Sequence, residues 1–241
     1  MDLDESAAVA IDIVRKVEVA TLDGRNSWGS GFVVGGDRLI TNAHVVQPDG
    51  KQARSIRVLA RDGSTLEGTV VKVNVDRDVA ILSVRHGRPG AQLEPGLPSV
   101  GERVVFAGQP TGVLQLSVFE GLVSATGENL LPRPAGPLIQ LAGMINNGNS
   151  GGPVLSARTG RVIGVITAKY VPMLEKRDEL IQFVKSVPQQ ARGTAIDNVD
   201  FAAFLNFNLK AMGHLAGVLR LVQVGTGWAV PIKTVMEELQ P

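Results

Sequence analysis

Residues 146–153, Asn146-Asn147-Gly148-Asn149-Ser150-Gly151-Gly152-Pro153, set one serine in a glycine-packed turn. A serine hydroxyl is a weak nucleophile at neutral pH. It becomes a strong one when a histidine takes its proton and a carboxylate orients that histidine. Upstream, Thr41-Asn42-Ala43-His44 supplies an imidazole and Asp76-Arg77-Asp78 supplies two carboxylates. The three groups occur in the order His, Asp, Ser. In this reading Ser150 is the nucleophile, His44 the general base and Asp78 the group that orients it. Gly148, Gly151 and Gly152 allow a tight turn and close approach of a second backbone. That turn is expected to aim the Gly148 and Ser150 amides at one point, where an oxyanion would form.

Each residue has competitors. Asp76 lies two residues from Asp78 and is expected on the same face of a strand, but Asp78 abuts the apolar run Val79–Leu82 and is the one expected to point inward. The chain has three histidines. His86 falls in a Gly/Pro-rich stretch and His214 in a segment with helical spacing. The turn around Ser150 also fits G-x-S-x-G, the elbow of another hydrolase class, whose order of residues would be Ser150, then Asp197 or Asp200, then His214. That alternative requires strands alternating with helices before the serine and a helix directly after it. Neither pattern is present, because Pro153-Val154-Leu155 before Gly160 reads as a strand and turn.

The elements that must hold these groups are mostly short strands. Residues 5–17 carry apolar side chains at helical spacing and predict a short helix. Strands are expected at 17–19, 31–34, 38–40, 71–75 and 79–82. After the Gly- and Pro-rich residues 87–101, which read as a linker, more are expected at 103–107, 115–119, 122–125, 138–141, 154–155, 162–167 and 228–232. Many short strands between turns argue for barrels or sandwiches. Between Lys169 and about Leu221 the periodicity turns helical, in 173–185 and 201–219, with Pro188 and Gly193 between them. This predicts an inserted helical hairpin, and a short helix over 233–239 ends the chain. Residues 1–90 would form one half carrying His44 and Asp78. Residues 91–241 would form the other, carrying Ser150 and an insertion at about 169–221.

Composition narrows the classes. The 241 residues carry a net charge of +1, which gives no electrostatic case for nucleic acid. The absence of cysteine excludes disulfides, thiolate metal sites and cysteine catalysis. No metal or cofactor is called for by the residues found. No uncharged apolar run approaches the roughly 18 residues of a membrane span. Met1-Asp2-Leu3-Asp4-Glu5 is acidic where a secretory signal is basic, so the chain as written is expected in the cytoplasm, or in the periplasm or outside the cell if an N-terminal segment was removed.

Seven segments together resemble the HtrA/Deg group of trypsin-like serine peptidases. They are Gly29–Val34, Leu39–Val46, Asp78–Leu82, Val100–Val104, Gly121–Ser124, Gly148–Pro153 and Gly227–Pro231. The resemblance implies a mainly β, chymotrypsin-like double β-barrel, with the helical insertion in the second barrel and short helices at the termini. It also implies a cleft between barrels, the triad His44, Asp78 and Ser150, and an oxyanion hole from the Gly148 and Ser150 amides. Asn146-Asn147 departs from the family's usual Asn-Pro. About ten residues follow Pro231, so no peptide-binding PDZ domain is expected there.

The resemblance further implies that Ile166, Thr167 and Ala168 line the substrate site. It places Met144, six residues before Ser150, at the base of the primary pocket. A methionine cannot pair a cation, so cleavage after small or medium aliphatic residues is expected rather than after Arg or Lys. The expected substrate is a polypeptide. The alternative is a silent or latent peptidase-like binding module whose insertion recognises a protein partner.

Overall fold

The computed structural model describes residues 2–60, 62–110, 115–128, 130–131, 134–169, 195–196, 199–200 and 225–239. The chain divides into one unit of residues 1–169 and 225–241 and a second of residues 170–224.

Helix α1 (Leu3–Ile13) opens the first unit. Asp2 and Glu5 form a reciprocal capping box at its start, which satisfies two otherwise orphan amides. The expected helix ran to residue 17, but it ends four residues sooner. Val17 and Val19 are buried on one face of strand β1 (Val14–Thr21), with Val14 buried on the other, and the strand pairs with a neighbour on each side. Barrel pairing overrides the local helical spacing. The buried Arg15 guanidinium closes the junction by donating to the Asp12 and Val14 carbonyls at 2.6 and 2.7 Å.

The first barrel continues with β2 (Asn26–Val34), β3 (Arg38–Thr41), the one-turn helix α2 (Ala43–Val46), β4 (Ala53–Leu59), β5 (Thr65–Asn74) and β6 (Val79–Ser83). It closes in the order β1-β2-β3-β6-β5-β4. Phe32, Leu39, Ile40 and Leu82 are wholly buried in its core.

The second barrel holds β7 (Arg103–Gly108), β8 (Ser117–Glu128), β9 (Pro137–Gly143), β10 (Pro153–Ser156) and β11 (Val162–Lys169). Within residues 170–224, β12 (Ala195–Ile196) pairs antiparallel with β13 (Val199–Asp200). Strand β14 (Thr226–Pro231) then completes the second barrel, in the order β10-β11-β14-β9-β8-β7. Strand β8 is one strand where the sequence predicts two. Gly121 reads as a break, but it lies within the strand where β9 comes close, since a Cβ there would sit 2.5 Å from the Ala142 carbonyl oxygen. Phe106 anchors this core and stacks on Phe119 with ring centres 5.5 Å apart.

The linker is pinned to both barrels. Ala91 donates to the Val33 carbonyl, and Glu94 donates to the carbonyl of Val162, whose own amide reaches Gln92. Helix α3 (Ile232–Leu239) follows β14 directly and buries Ile232 and Val235. The predicted helical stretches 173–185 and 201–219 lie outside the described residues. Among the described residues, no helix is long and apolar enough to cross a membrane.

Candidate active site

The two barrels bring His44, Asp78, Thr167 and Ser150 together. His44 is the second residue of α2, directly after β3. Its side chain is 48 % exposed, whereas that of Asp78 is 13 % exposed. Asp78 accepts twice from the imidazole Nδ1, at 2.9 and 3.0 Å, and once from the His44 backbone amide at 3.0 Å. A carboxylate can only accept, so Nδ1 carries a proton, and in the neutral imidazole it is Nε2 that keeps the lone pair.

Asp78 and Asp76 do not share a strand face. Both lie in the turn between β5 and β6, and Asp78 closes it at φ 53°. That left-handed conformation is uncommon outside glycine and is tolerated best by Asp and Asn. The Asp78 amide bonds to the Val75 carbonyl at 3.3 Å, and its carbonyl accepts from the buried Asn42 side chain at 2.9 Å. Asp76 is exposed and gives only its backbone carbonyl, to Ala135 at 2.7 Å.

The turn is braced by α3. Asn74 donates to Glu238 at 2.8 Å and accepts from the Arg77 amide at 3.0 Å, while the Arg77 side chain pairs with Glu237 at 2.5 Å. Burial pushes the Glu238 carboxyl up, but the bonds from Lys72 and Asn74 and the charges of Lys72 and Arg77 outweigh this and hold it below the usual range.

Thr167 is buried and is the extra residue of a bulge in β11, between Ile166, paired with Ala229, and Ala168, paired with Trp228. Bulges re-aim side chains. Here the hydroxyl donates to the Asp78 Oδ2. The Thr167 carbonyl accepts the Ser150 hydroxyl at 3.3 Å. No hydrogen bond joins the His44 imidazole and the Ser150 hydroxyl in this conformation.

The turn around Ser150 is fixed by its glycines. Gly151 has φ 85°, and a Cβ on it would lie 2.0 Å from the Ser30 carbonyl oxygen; one on Gly152 would lie 2.0 Å from that of Ala107. Gly148 has φ 92°. Its amide and that of Ser150 bond to no other described backbone group, whereas those of Gly151 and Gly152 go to Ile166 and Asn149. Asn149 is fully buried, and neither its side-chain oxygen nor its nitrogen has a partner.

The remaining expected site residues differ in placement. The Ile166 side chain lies in the second core, and both its backbone groups hold the Gly151-Gly152 turn. Its place is therefore a clamp behind Ser150 rather than a wall facing substrate. Ala168 lies on β11 opposite Trp228. Met144 follows β9 directly and is 52 % exposed. A cleft of ≈ 430 Å³ is lined by His44, Asp78, Thr167, Gln47, Val75 and Pro134, and Met144 does not border it. Sequence reasoning missed Ser30, whose backbone and hydroxyl reach the turn around Ser150. The signal was its place in Gly29-Ser30-Gly31, a small residue on a buried strand.

Residues 29–165 match the trypsin-like peptidase domain family. The chain belongs to the trypsin-like peptidases. Among these it is HtrA-like. It is 37% identical over 179 residues to the mitochondrial serine protease HTRA2 of Bos taurus, a match covering 70% of this chain and 38% of that protein. It is 36% identical over 154 residues to the chloroplastic Protease Do-like 1 of Arabidopsis thaliana, covering 60% and 34%. The chain thus spans about a third of the length of the curated relatives it matches. In fold, this trypsin-like peptidase is similar to the HtrA-type protease AlgW, with a TM-score of 0.72 at 23% identity, over 100% of this chain and 63% of that one. The Rv3671c protease of M. tuberculosis, in its active form, aligns with a TM-score of 0.59 at 27% identity, over 69% and 74%. The elbow alternative with Asp200 and His214 falls with the fold. Ser150 leads into strand β10, within a closed antiparallel barrel.

Proposed function

We propose that the chain is a serine endopeptidase working through an acyl-enzyme, with Ser150 as nucleophile, His44 as general base and Asp78 as the group that orients it. The observation that carries this reading is the grip of Asp78 on Nδ1 of His44, which leaves Nε2 free to accept a proton. The Ser150 Oγ attacks the scissile carbonyl and its proton passes to Nε2. The oxyanion is taken by the Gly148 and Ser150 amides. His44 then protonates the leaving amine, and water repeats the sequence on the ester to release the acid. Hydrolysis of an unfolded polypeptide, abolished by Ser150→Ala and by His44→Ala, is the expected result. Turnover unchanged in either variant contradicts it.

We infer that the substrate is an extended polypeptide lying along β11 at Thr167 and Ala168. The resemblance places the primary pocket at Met144, which offers no carboxylate for a cationic side chain, and cleavage after Val, Ala or Leu is the preference that follows from it. Dominant cleavage after Arg or Lys in a peptide library rules this out.

A second reading is favoured by one contact. The Ser150 hydroxyl is bonded to Thr167 rather than to His44, which fits a chain latent until substrate or a partner arrives. The Rv3671c fold matches about equally in its active and inactive forms, with TM-scores of 0.59 and 0.58, so the fold is compatible with either state. Residues 170–224, between β11 and β14, are the proposed seat of such a protein partner. Turnover that rises with time after substrate addition supports latency, and a linear onset speaks against it. Relatives named for the periplasm, chloroplast and mitochondrion favour an exported chain over a cytoplasmic one.

A further inference from the structure

Ser30 lies on β2 of the first barrel, wholly buried, and every polar group it has is engaged. Its amide donates to the Ser150 carbonyl at 2.7 Å, and its carbonyl accepts from the Thr41 hydroxyl at 2.7 Å. Its hydroxyl donates to the Gly148 carbonyl at 2.6 Å and accepts from the Gln109 amide at 3.0 Å. The directions follow from the chemistry. A backbone N–H can only donate, so Gln109 occupies a lone pair of Ser30 Oγ and leaves the hydroxyl hydrogen for Gly148.

One residue therefore holds both ends of the 148–150 segment. The bond to the Gly148 carbonyl fixes the peptide plane between Gly148 and Asn149. The bond to the Ser150 carbonyl fixes the plane after Ser150. The residue between them adds no side-chain anchor, because the Asn149 amide group is buried without a partner. Gly148, at φ 92°, has no side chain to restrict its rotation. The Gly148–Asn149 peptide plane is thus held by a hydroxyl of the other barrel together with the Asn149 amide, which donates to the Asn146 carbonyl at 3.1 Å, and it bears on the Gly148 amide one plane earlier through the Gly148 backbone angles.

We propose that Ser30 is a positioning residue for the oxyanion-forming loop: its hydroxyl, oriented by Gln109 at the exit of β7, holds Gly148 in the conformation that stabilises the transition state. This rests on the reading of Ser150 as nucleophile and Gly148 as oxyanion donor. Ser30 touches neither substrate nor the reacting atoms, and acts through Gly148. An alanine at this position keeps the two backbone bonds and removes only the hydroxyl, so the buried Gly148 carbonyl loses this donor. The loop then relaxes toward other partners, and the Gly148 amide turns from its aim.

The test compares wild type with Ser30→Ala on the full chain. The readouts are kcat and KM on an unfolded polypeptide, the rate of labelling by a fluorophosphonate, and the peptide affinity of Ser150→Ala with and without Ser30→Ala. Loss of one oxyanion donor costs about 100-fold or more, so an indirect loss of aim is expected to lower kcat and labelling by about tenfold or more. Peptide affinity should stay within about twofold, because ground-state binding does not use the hole. If Ser30→Ala does not fold, Ser30→Cys fills nearly the same space with a weak donor and should show the same split. Rates at the wild-type level in a folded variant overturn the proposal, as does an equal loss of affinity and rate. Labelling of wild type that persists in Ser150→Ala overturns the nucleophile reading itself, and the proposal with it. Labelling confined to Ser150 but indifferent to Ser30 overturns the proposal alone.

Discussion

The hydroxyl of Thr167 donates to the carboxylate of Asp78, joining β11 of the second barrel to the β5–β6 turn of the first. The bulge in β11 falls on this residue and gives its side chain that direction. Asp78 thus receives donors from both barrels, His44 from one and Thr167 from the other. A carboxylate held on several sides cannot swing, and neither can the imidazole it grips. The prediction is a split between variants. Thr167→Val keeps the shape and loses the donor, and a hydrogen bond to a charged group is worth about 1.5–3 kcal/mol, so kcat should fall roughly tenfold or more. Thr167→Ser restores the donor and should restore most of the rate. Steady-state kinetics on the three proteins check this, and equal rates for Val and Ser would refute it.

The two carboxylates of the turn are separable by the same means. Asp78→Asn keeps the size but disturbs the tautomer that leaves Nε2 able to accept, and a loss of about 10⁴-fold in kcat is the order expected for such a change. Asp76 is exposed and contributes only a backbone carbonyl, so Asp76→Asn should turn over like wild type. Comparable losses in both variants would contradict this assignment.

Gly151 marks where the serine turn meets β2. Its φ of 85° disfavours any side chain, and a Cβ would sit 2.0 Å from the Ser30 carbonyl oxygen and 2.4 Å from the Thr41 hydroxyl oxygen. Gly151→Ala should therefore lower Tm and abolish labelling by a fluorophosphonate, since strained backbone positions cost about 1–3 kcal/mol before any clash is counted. Gly24 also has positive φ, at 83°, but opens into free space. Gly24→Ala is expected to lower Tm by less and to keep full labelling.

Helix α3 ties the second barrel to the turn that carries Asp78 through Glu238, and this tie is pH-dependent. The folded-state carboxyl lies below its usual range despite burial. Its stabilising contribution is therefore complete above the ordinary glutamate range and is lost as pH falls through the folded value. Glu238→Gln should lower Tm at neutral pH, and its curve should converge with that of wild type in acid. A gap constant with pH would show that the charge is not what matters.

Much of this was legible in the sequence, for reasons that differ by residue. The apolar run Val79–Leu82 and the glycines around Ser150 are local patterns, and the strand and turn they predict are present. Strand β4 escaped notice, since only Ile56 and Val58 of its seven residues are buried and Arg54 and Arg57 interrupt the run. The early end of α1 was hidden because Val14 and Val17, three residues apart, suit one helix face, although in the strand only Val17 and Val19 share a face. What separates Asp78 from Asp76 is a backbone angle set by the turn. What separates Thr167 from Ile166 is a bulge defined by pairing with β14. The roles of Thr167 and Ser30 depend on contacts between barrels 89 and 118 residues apart in sequence, which no local pattern encodes.

The central claim is that His44 activates Ser150 within an assembled site. It is tested most directly by treating wild type, Ser150→Ala and His44→Ala with a fluorophosphonate and locating the label by mass spectrometry. The account predicts one label on wild type, at Ser150, absent from Ser150→Ala and strongly slowed in His44→Ala. A label elsewhere, or one at Ser150 that forms as fast without His44, would contradict it.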